Sequence, residues 1–528
     1  MSLYNQIENN PMSNLPDNNN QNHSHKKLFW IGGIVVLIIL AIVGGVFYFS
    51  SIKKTGRKSK NVVQNQPNQN QNIQKTDNQK SNQGIKDQNQ VNQTETKVYS
   101  KKLGKLFKEI YPNKNGIFFS PDGQYYVYVI KSGKKYSMIL DGKKQKEYDE
   151  INDGFVFSPN SQHFVYAAKS ANKWFIVFDG KEQKKYDRVV CGANSWPIFS
   201  PDSQHLAYIA ISGEKQEIVL DGKEMKKYDS AWDLTFSPDS QHFAYTARLN
   251  NKHFVVLDGK EQKKYDDIGI LIFSPDSQHF AYAVGFKEKE FVVLDGQEQK
   301  KYDRVWDLTF SPDSQHFAYV VRFKEKEFVV LDGQEQKKYD EITKITFYPH
   351  NQLVYLAKLN DKLFIVSDSR EEQKKYDRVW DLTFSPDSQH FVYITRLNGK
   401  YFVVLDGKRQ KEYNSKIWKV EDVIFSLNGL HLAYTVYSIH PHDNKYFVVI
   451  DGKEQKKYDY MCHAVFSHDS QHYAYVAKLN GKYFVVFDGH ELKDHQGEIF
   501  NPHFTKNYFN YNVVQDNREV WFVSRKVD

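Results

Sequence analysis

One histidine recurs at a fixed place in eight segments of the chain: His163, His205, His242, His279, His316, His390, His431 and His472, each directly after Pro-Asp-Ser-Gln or a variant of it. Imidazole serves as a general base, a metal ligand or a pH-dependent cation. A metal centre needs three or four ligands in one coordination sphere, and equivalent positions on separate repeats stand too far apart to converge. Turn or strand-start side chains are the plainer expectation, with a pH-responsive surface as the alternative.

A second recurring group is a lysine pair, at 184–185, 226–227, 263–264, 300–301, 337–338, 374–375 and 456–457. A belt of such pairs is the chemistry that holds an anionic polymer. Solvated edge strands protected from pairing by their charge are the plainer reading, and neighbouring Glu and Asp dilute the belt. The formal net charge of +8 is mild for 528 residues and is spread along the chain, so no nucleic-acid partner is expected. Cys191 and Cys462 occupy non-equivalent places in distant segments; they read as two small buried side chains, with no disulfide framework and no zinc site. The sequence has no Gly-x-Ser-x-Gly, no His-Glu-x-x-His and no phosphate-binding glycine loop. Turn geometry accounts for the Asp residues of the Pro-Asp and Asp-Gly pairs. No catalytic, cofactor-binding or metal-binding residue is assigned, and no enzyme activity is expected.

The elements that position these groups are visible in residues 302–338, YDRVWDLTFSPDSQHFAYVVRFKEKEFVVLDGQEQKK, of which almost everything after Val98 is a variant. Four strand-length pieces, DLTFS, HFAYVV, EFVVL and QKKYD, are separated by PDSQ, FKEK and DGQE, all turn chemistry. The unit is an antiparallel four-stranded meander. Its middle strands are apolar at consecutive positions, so both faces of the small sheet need cover, and radial stacking of similar sheets provides it. The lysine-bearing fourth strand is expected at the outer edge.

With the Phe of Phe-Ser-Pro as marker, copies stand at Phe119, Phe157, Phe199, Phe236, Phe273, Phe310, Phe347, Phe384, Phe425, Phe466 and Phe504, which makes eleven. The copy at Phe347 is one residue short and carries Asp368-Ser369 in place of Asp-Gly; it is a candidate junction. The piece at 103–110 matches the tails of other copies, and the last copy stops near the end of its third strand. The N-terminal piece is therefore expected to supply the missing fourth strand and remove the free end. Because propellers commonly have about four to eight blades, two rings in tandem, of five and six blades, are expected.

FSPDSQHFAY and FVVLDG resemble the TolB-like, or WD-repeat-like, β-propeller repeats, whose hallmark is a Phe-Ser-Pro-Asp-Gly turn followed by a Leu-Ala-Tyr strand. The likeness spans 119–487 and implies an all-β propeller fold, with many activities compatible with it. Trp-Asp (232–233, 306–307, 380–381) opens the first strand rather than closing the third, so the WD tetrad is not carried over. The tail QEQKKYDEI (334–342) is weakly similar to WG repeats and lacks their Trp-Gly.

Upstream, residues 1–27 form an Asn-rich tail that cannot build a core. Residues 28–49 are uncharged and as a helix would span about 33 Å, enough to cross a bilayer, and they exceed the apolar core of a cleavable signal. Residues 50–98 are a linker, half Asn or Gln from residue 61 onward, and 99–528 are the repeat array. Lysines after the span outnumber those before it, which by the positive-inside rule keeps the array in the cytoplasm. The resemblance and the habit of short-tailed single-anchor proteins point the other way, and an extracytoplasmic array is the expectation adopted.

The functional expectation is a single-pass membrane protein that engages the bilayer through 28–49 and displays a non-catalytic scaffold for an unknown protein or envelope polymer. Loops at 190–197 and 438–444 depart from the repeat and are candidate specificity elements. A hydrolase or lyase with a site in the central channel, and a purely structural array, are the alternatives.

Overall fold

A computed structural model describes residues 98–105, 117–191, 196–348, 351–367, 370–371, 376–387, 389–413, 417–438, 444–462, 464–492, 497–505, 508–515 and 518–527. The expected anchor at 28–49, the tail before it and the linker up to 97 lie outside the described residues, as do Asp368, Ser369, Lys374 and Lys375. So do 192–195 and 439–443, the middles of the two candidate specificity loops. Among the described residues no helix is long and apolar enough to cross a membrane.

The described residues form eleven antiparallel four-stranded blades, at 118–148, 150–182, 188–228, 230–261, 267–298, 304–335, 341–371, 378–413, 417–454, 460–492 and 498–526 together with 98–105. In the third and tenth the first strand is broken into two short segments. Each blade is a meander, as the turn chemistry predicts. In blade 6, for example, Arg304–Phe310 pairs with Phe317–Phe323, that strand with Lys326–Leu331, and that one with Gln334–Glu335. The Asp-Gly hairpins hold Asp at positive φ, 46–50°, a conformation that Asp tolerates better than most side chains.

The fourth strand differs from the expected QKKYD. In most blades its ladder stops after two residues and resumes as a single bridge at the Tyr, for example Glu327 to Tyr339. Between them the strand bulges: the Gln336 amide N–H donates to Val329 O, while its side chain turns back onto Gln334 O. A bulge of this kind blunts an edge strand.

The middle strands are buried on both faces, and eleven apolar clusters fill the spaces between blades. Each cluster joins one blade to the next, from blades 1 and 2 to blades 10 and 11. The eleventh joins Tyr126, Tyr128 and Ile130 of blade 1 to Val520 of blade 11. This corrects the expectation of two tandem rings. Two rings would need clusters linking blades five or six repeats apart, whereas the contacts run in one circuit that closes end to start. The copy at Phe347 is an ordinary member of that circuit, not a junction.

Closure uses the N-terminal piece, in a different register from the one expected. The strand Val98–Lys105 pairs antiparallel with Glu519–Lys526 as the fourth strand of blade 11, so the pairing residues begin ahead of Leu103. The side-chain amide of Asn512 donates to Gly123 O across the seam. First strands of successive blades touch, and the second strand of one blade reaches the first strand of the next; the first strands therefore form the inner wall.

Candidate functional site at the turn rim

The eight histidines lie together on the rim made by the Pro-Asp-Ser-Gln turns, and each is tied to the Asp-Gly hairpin of its own blade. His Nδ1 meets Asp Oδ2 at 2.6–2.8 Å in the couples 163–179, 205–221, 242–258, 279–295, 316–332, 390–406, 431–451 and 472–488. The other Asp oxygen accepts the backbone N–H of the residue after the histidine, at 2.9 Å. One carboxylate thus fixes both ends of the second strand's start. In several blades the imidazole also stacks towards the marker Phe of the following blade, as His205 does on Phe236 and His279 on Phe310. The imidazoles keep 23–44% of their surface exposed. Among the described residues no group of three or more His, Cys, Asp or Glu could hold a metal ion.

A residue that the sequence reading passed over links the blades at this rim. The Ser that replaces Gly in Phe-Ser-Pro-Asp-Ser has positive φ, 61–66°, where glycine is the easy choice. Its hydroxyl accepts the backbone N–H of the turn Asp or Asn in the preceding blade: Asp122 to Ser161, Asn160 to Ser203, Asp202 to Ser240, Asp239 to Ser277, Asp276 to Ser314 and Asn428 to Ser470, at 2.9–3.1 Å. The departure from the Asp-Gly hallmark was the visible signal. Blade 9 has Gly429 instead, and the Asp387 carboxylate of blade 8 occupies the space a Cβ would take.

The lysine pairs have structural partners as well. The first lysine reaches the Glu of the next blade's fourth strand, as in Lys184–Glu224, Lys263–Glu298, Lys300–Glu335 and Lys456–Glu491, at 2.7–2.8 Å. The second lies over the third-strand Phe of its own blade, for example Lys264 over Phe254 and Lys338 over Phe328. In blade 3, Glu217 stands in the place of that Phe, and Lys227 pairs with it at 3.6 Å instead. The Asp that follows the Tyr clips blades together too: Asp229 accepts from Lys215 Nζ in blade 3 and from the Asn250 amide in blade 4, which together hold its carboxyl below the usual range.

Cys191 and Cys462 are free and half-buried, and burial pushes the Cys191 thiol up to about 12. The Trp-Asp pairs open the first strands as expected. Asp233 and Asp307 sit on a bulge at φ 54° and 52°. Burial raises both carboxyls, Asp233 to about 6.

Two clefts open at the rim, and they are one site at two interfaces. Between blades 1 and 2, a cavity of ≈ 300 Å³ lies among Tyr125, Leu140, Gln145, Phe157, Phe164 and Tyr166. Between blades 6 and 7, a cavity of ≈ 110 Å³ lies among the same positions of the repeat: His316, Leu331, Gln336, Phe347, Leu353 and Tyr355. Each opens where the repeat is broken. In blade 1, Tyr125 takes the histidine position and is 43% exposed. In blade 7, the shortened turn puts Leu353 where other blades place a Phe ring 4.5–4.8 Å from the marker Phe. The shortened turn is legible in the sequence, but the meeting of either departure with a neighbouring blade is not.

No protein-family model matches the chain, and no curated protein matches it. Solved structures similar to it include a eukaryotic initiation factor, 13% identical, covering 64% of this chain and 96% of that one with a TM-score of 0.37. TolB from Acinetobacter baumannii is 12% identical and covers 46% and 77%, with a TM-score of 0.24. An acylaminoacyl peptidase from Pyrococcus horikoshii is 14% identical and covers 50% and 52%, with a TM-score of 0.25. The assignment to the β-propellers rests on the chain's own strand pairing and ring of interfaces.

Proposed function

We propose that the ring is a non-catalytic binding scaffold, held at a membrane by residues 28–49 and displayed outside the cytoplasm, with an envelope polymer or a protein as its partner. The observation that carries this reading is the use made of the repeated polar groups. His, Asp, Ser, Lys and Glu of the repeat tie strand to strand or blade to blade, so the repeat builds a rigid platform and leaves recognition to the positions that break it. The experiment is protease accessibility of a C-terminal tag on intact cells, followed by co-sedimentation of the full chain with purified envelope polymer. Cleavage without lysis and co-sedimentation support the reading. Protection until the inner membrane is opened places the array in the cytoplasm instead.

One observation favours a hydrolase. An imidazole whose Nδ1 is held by a carboxylate has the geometry of a general base, and it occurs eight times. Turnover of a chromogenic ester or peptide that falls when His316 or His390 is replaced by Ala would establish that reading in place of the scaffold.

A further inference from the structure

We propose that the cleft between blades 1 and 2 is a subsite for one ring of a neutral saccharide, with Tyr125 as the stacking platform. The proposal rests on the reading of the ring as a binding module and names the chemistry of its ligand. At ≈ 300 Å³ the cavity reaches the lower end of the range of ligand sites, about 300–1,000 Å³; its smaller counterpart between blades 6 and 7 does not.

The lining selects the ligand class. Aromatic rings come from both blades: the exposed Tyr125 from blade 1 and the half-buried Phe157 from blade 2 present faces, with Phe164 and Tyr166 buried behind them as the apolar floor. They suit the C–H face of a pyranose as they suit any flat apolar surface. The polar lining consists of Gln145, Ser161, Gln162 and the His163–Asp179 couple. Side-chain amides both donate and accept, which matches hydroxyls that do the same. No Lys or Arg is among the described lining residues, so nothing there neutralises a phosphate, sulfate or uronate. The Gln145 amide N–H₂ already bonds Lys143 O at 3.2 Å, which leaves its Oε1 to accept from a ligand hydroxyl; an apolar peptide side chain would fill the aromatic part and cover that oxygen without bonding it, at a cost. A ring with an apolar face and a hydroxylated edge satisfies both parts.

Tyr125 decides whether the site exists. In eight blades an imidazole occupies this position and bonds the hairpin Asp. In blade 1 the hairpin Asp141 still accepts the backbone N–H of Tyr126 at 2.9 Å, while Tyr125 lines the cleft and is 43% exposed. The substitution Tyr125→His therefore restores the majority residue beside a carboxylate already in place, and it is expected to fold.

The test uses the full chain in detergent, with cellotriose, maltotriose and chitotriose as probes in saturation-transfer NMR and calorimetry. Heparin and a capped Leu-Phe-Leu peptide serve as comparators. At least one trisaccharide is expected to bind with a Kd of about 1 mM or tighter. Y125A and Y125H should each weaken it about tenfold or more, whereas Y125W retains it. Binding by none of the trisaccharides, or binding unchanged in both Y125A and Y125H, overturns the proposal. Peptide or heparin binding that depends on Tyr125 while the sugars stay inert overturns the ligand class. If Y125H still co-sediments with envelope polymer, this site fails and the scaffold reading stands; if the wild-type chain engages no partner, the scaffold reading fails with it.

Discussion

Asp233 is held at φ 54° on a bulge of the inner wall, where burial raises its carboxyl to about 6. A carboxylate whose folded value is raised opposes folding once it ionises. The penalty is absent below the ordinary carboxylate range, grows as pH rises towards about 6, and is complete above it. Asn tolerates the same backbone conformation and removes the charge. Asp233→Asn is therefore expected to stabilise the ring by about 1–2 kcal/mol at pH 7.5 and by almost nothing near pH 4, read as paired denaturant melts. Asp258 is a structural tie: it accepts from the Phe243 amide, meets the His242 imidazole and holds φ 49°. Asp258→Ala should destabilise by about 1–3 kcal/mol; an unchanged melt would show that the hairpin stands without the couple.

At the scale of elements, the strand Val98–Lys105 and the seam opposite it decide closure. Deleting residues 98–105 leaves the edge of Glu519–Lys526 unpaired, and such an edge pairs with other chains. The truncated protein should melt at a lower temperature and form oligomers, measurable by light scattering. The seam hydrogen bond from Asn512 to Gly123 O is buried, and Asn512→Ala should cost about 1–2 kcal/mol without changing the oligomeric state. Removing residues 266–302 joins Tyr265 to Asp303 in register and leaves ten blades. Because each interface is filled by near-identical side chains, the shortened chain is expected to close as a ten-bladed ring with a lower Tm. Class averages from electron microscopy would count the blades, and an open arc would show that the interfaces hold a fixed angle.

For the whole molecule, ion pairs form a belt. Asp149, Asp187, Asp229, Asp266, Asp303, Asp340, Asp377 and Asp459 each bond a lysine of one blade and a backbone amide of the next. All eight carboxyls are lowered. A lowered folded value stabilises above the unfolded value of about 4 and is lost as pH falls through the folded values. The ring should hold a steady Tm from neutral pH down to about 4 and lose it steeply below. High salt should lower the neutral-pH Tm, since exposed pairs are screened. A Tm independent of salt would mean that apolar interfaces alone hold the circuit.

Local patterning and turn chemistry are enough to build the blade: the strand count, the Asp-Gly hairpins, the doubly buried middle strands and the use of an N-terminal strand for closure all follow from them. The sequence also exposed one break in the repeat, the shortened copy near Phe347, whereas Tyr125 at the histidine position stood out only once the cleft beside it was seen. The tertiary structure alone decided that eleven blades close as one ring, because near-identical repeats carry no mark of the rotation between neighbours; that angle emerges from how side chains such as Tyr302, Val305 and Phe317 fill one interface. It alone gave the histidines, lysines and serines their partners, since those bonds join residues about 15–40 positions apart or on different blades. For the same physical reason the cleft beside Tyr125 belongs to neither copy. Its walls come from two blades, and a space between two surfaces exists only once both are in place.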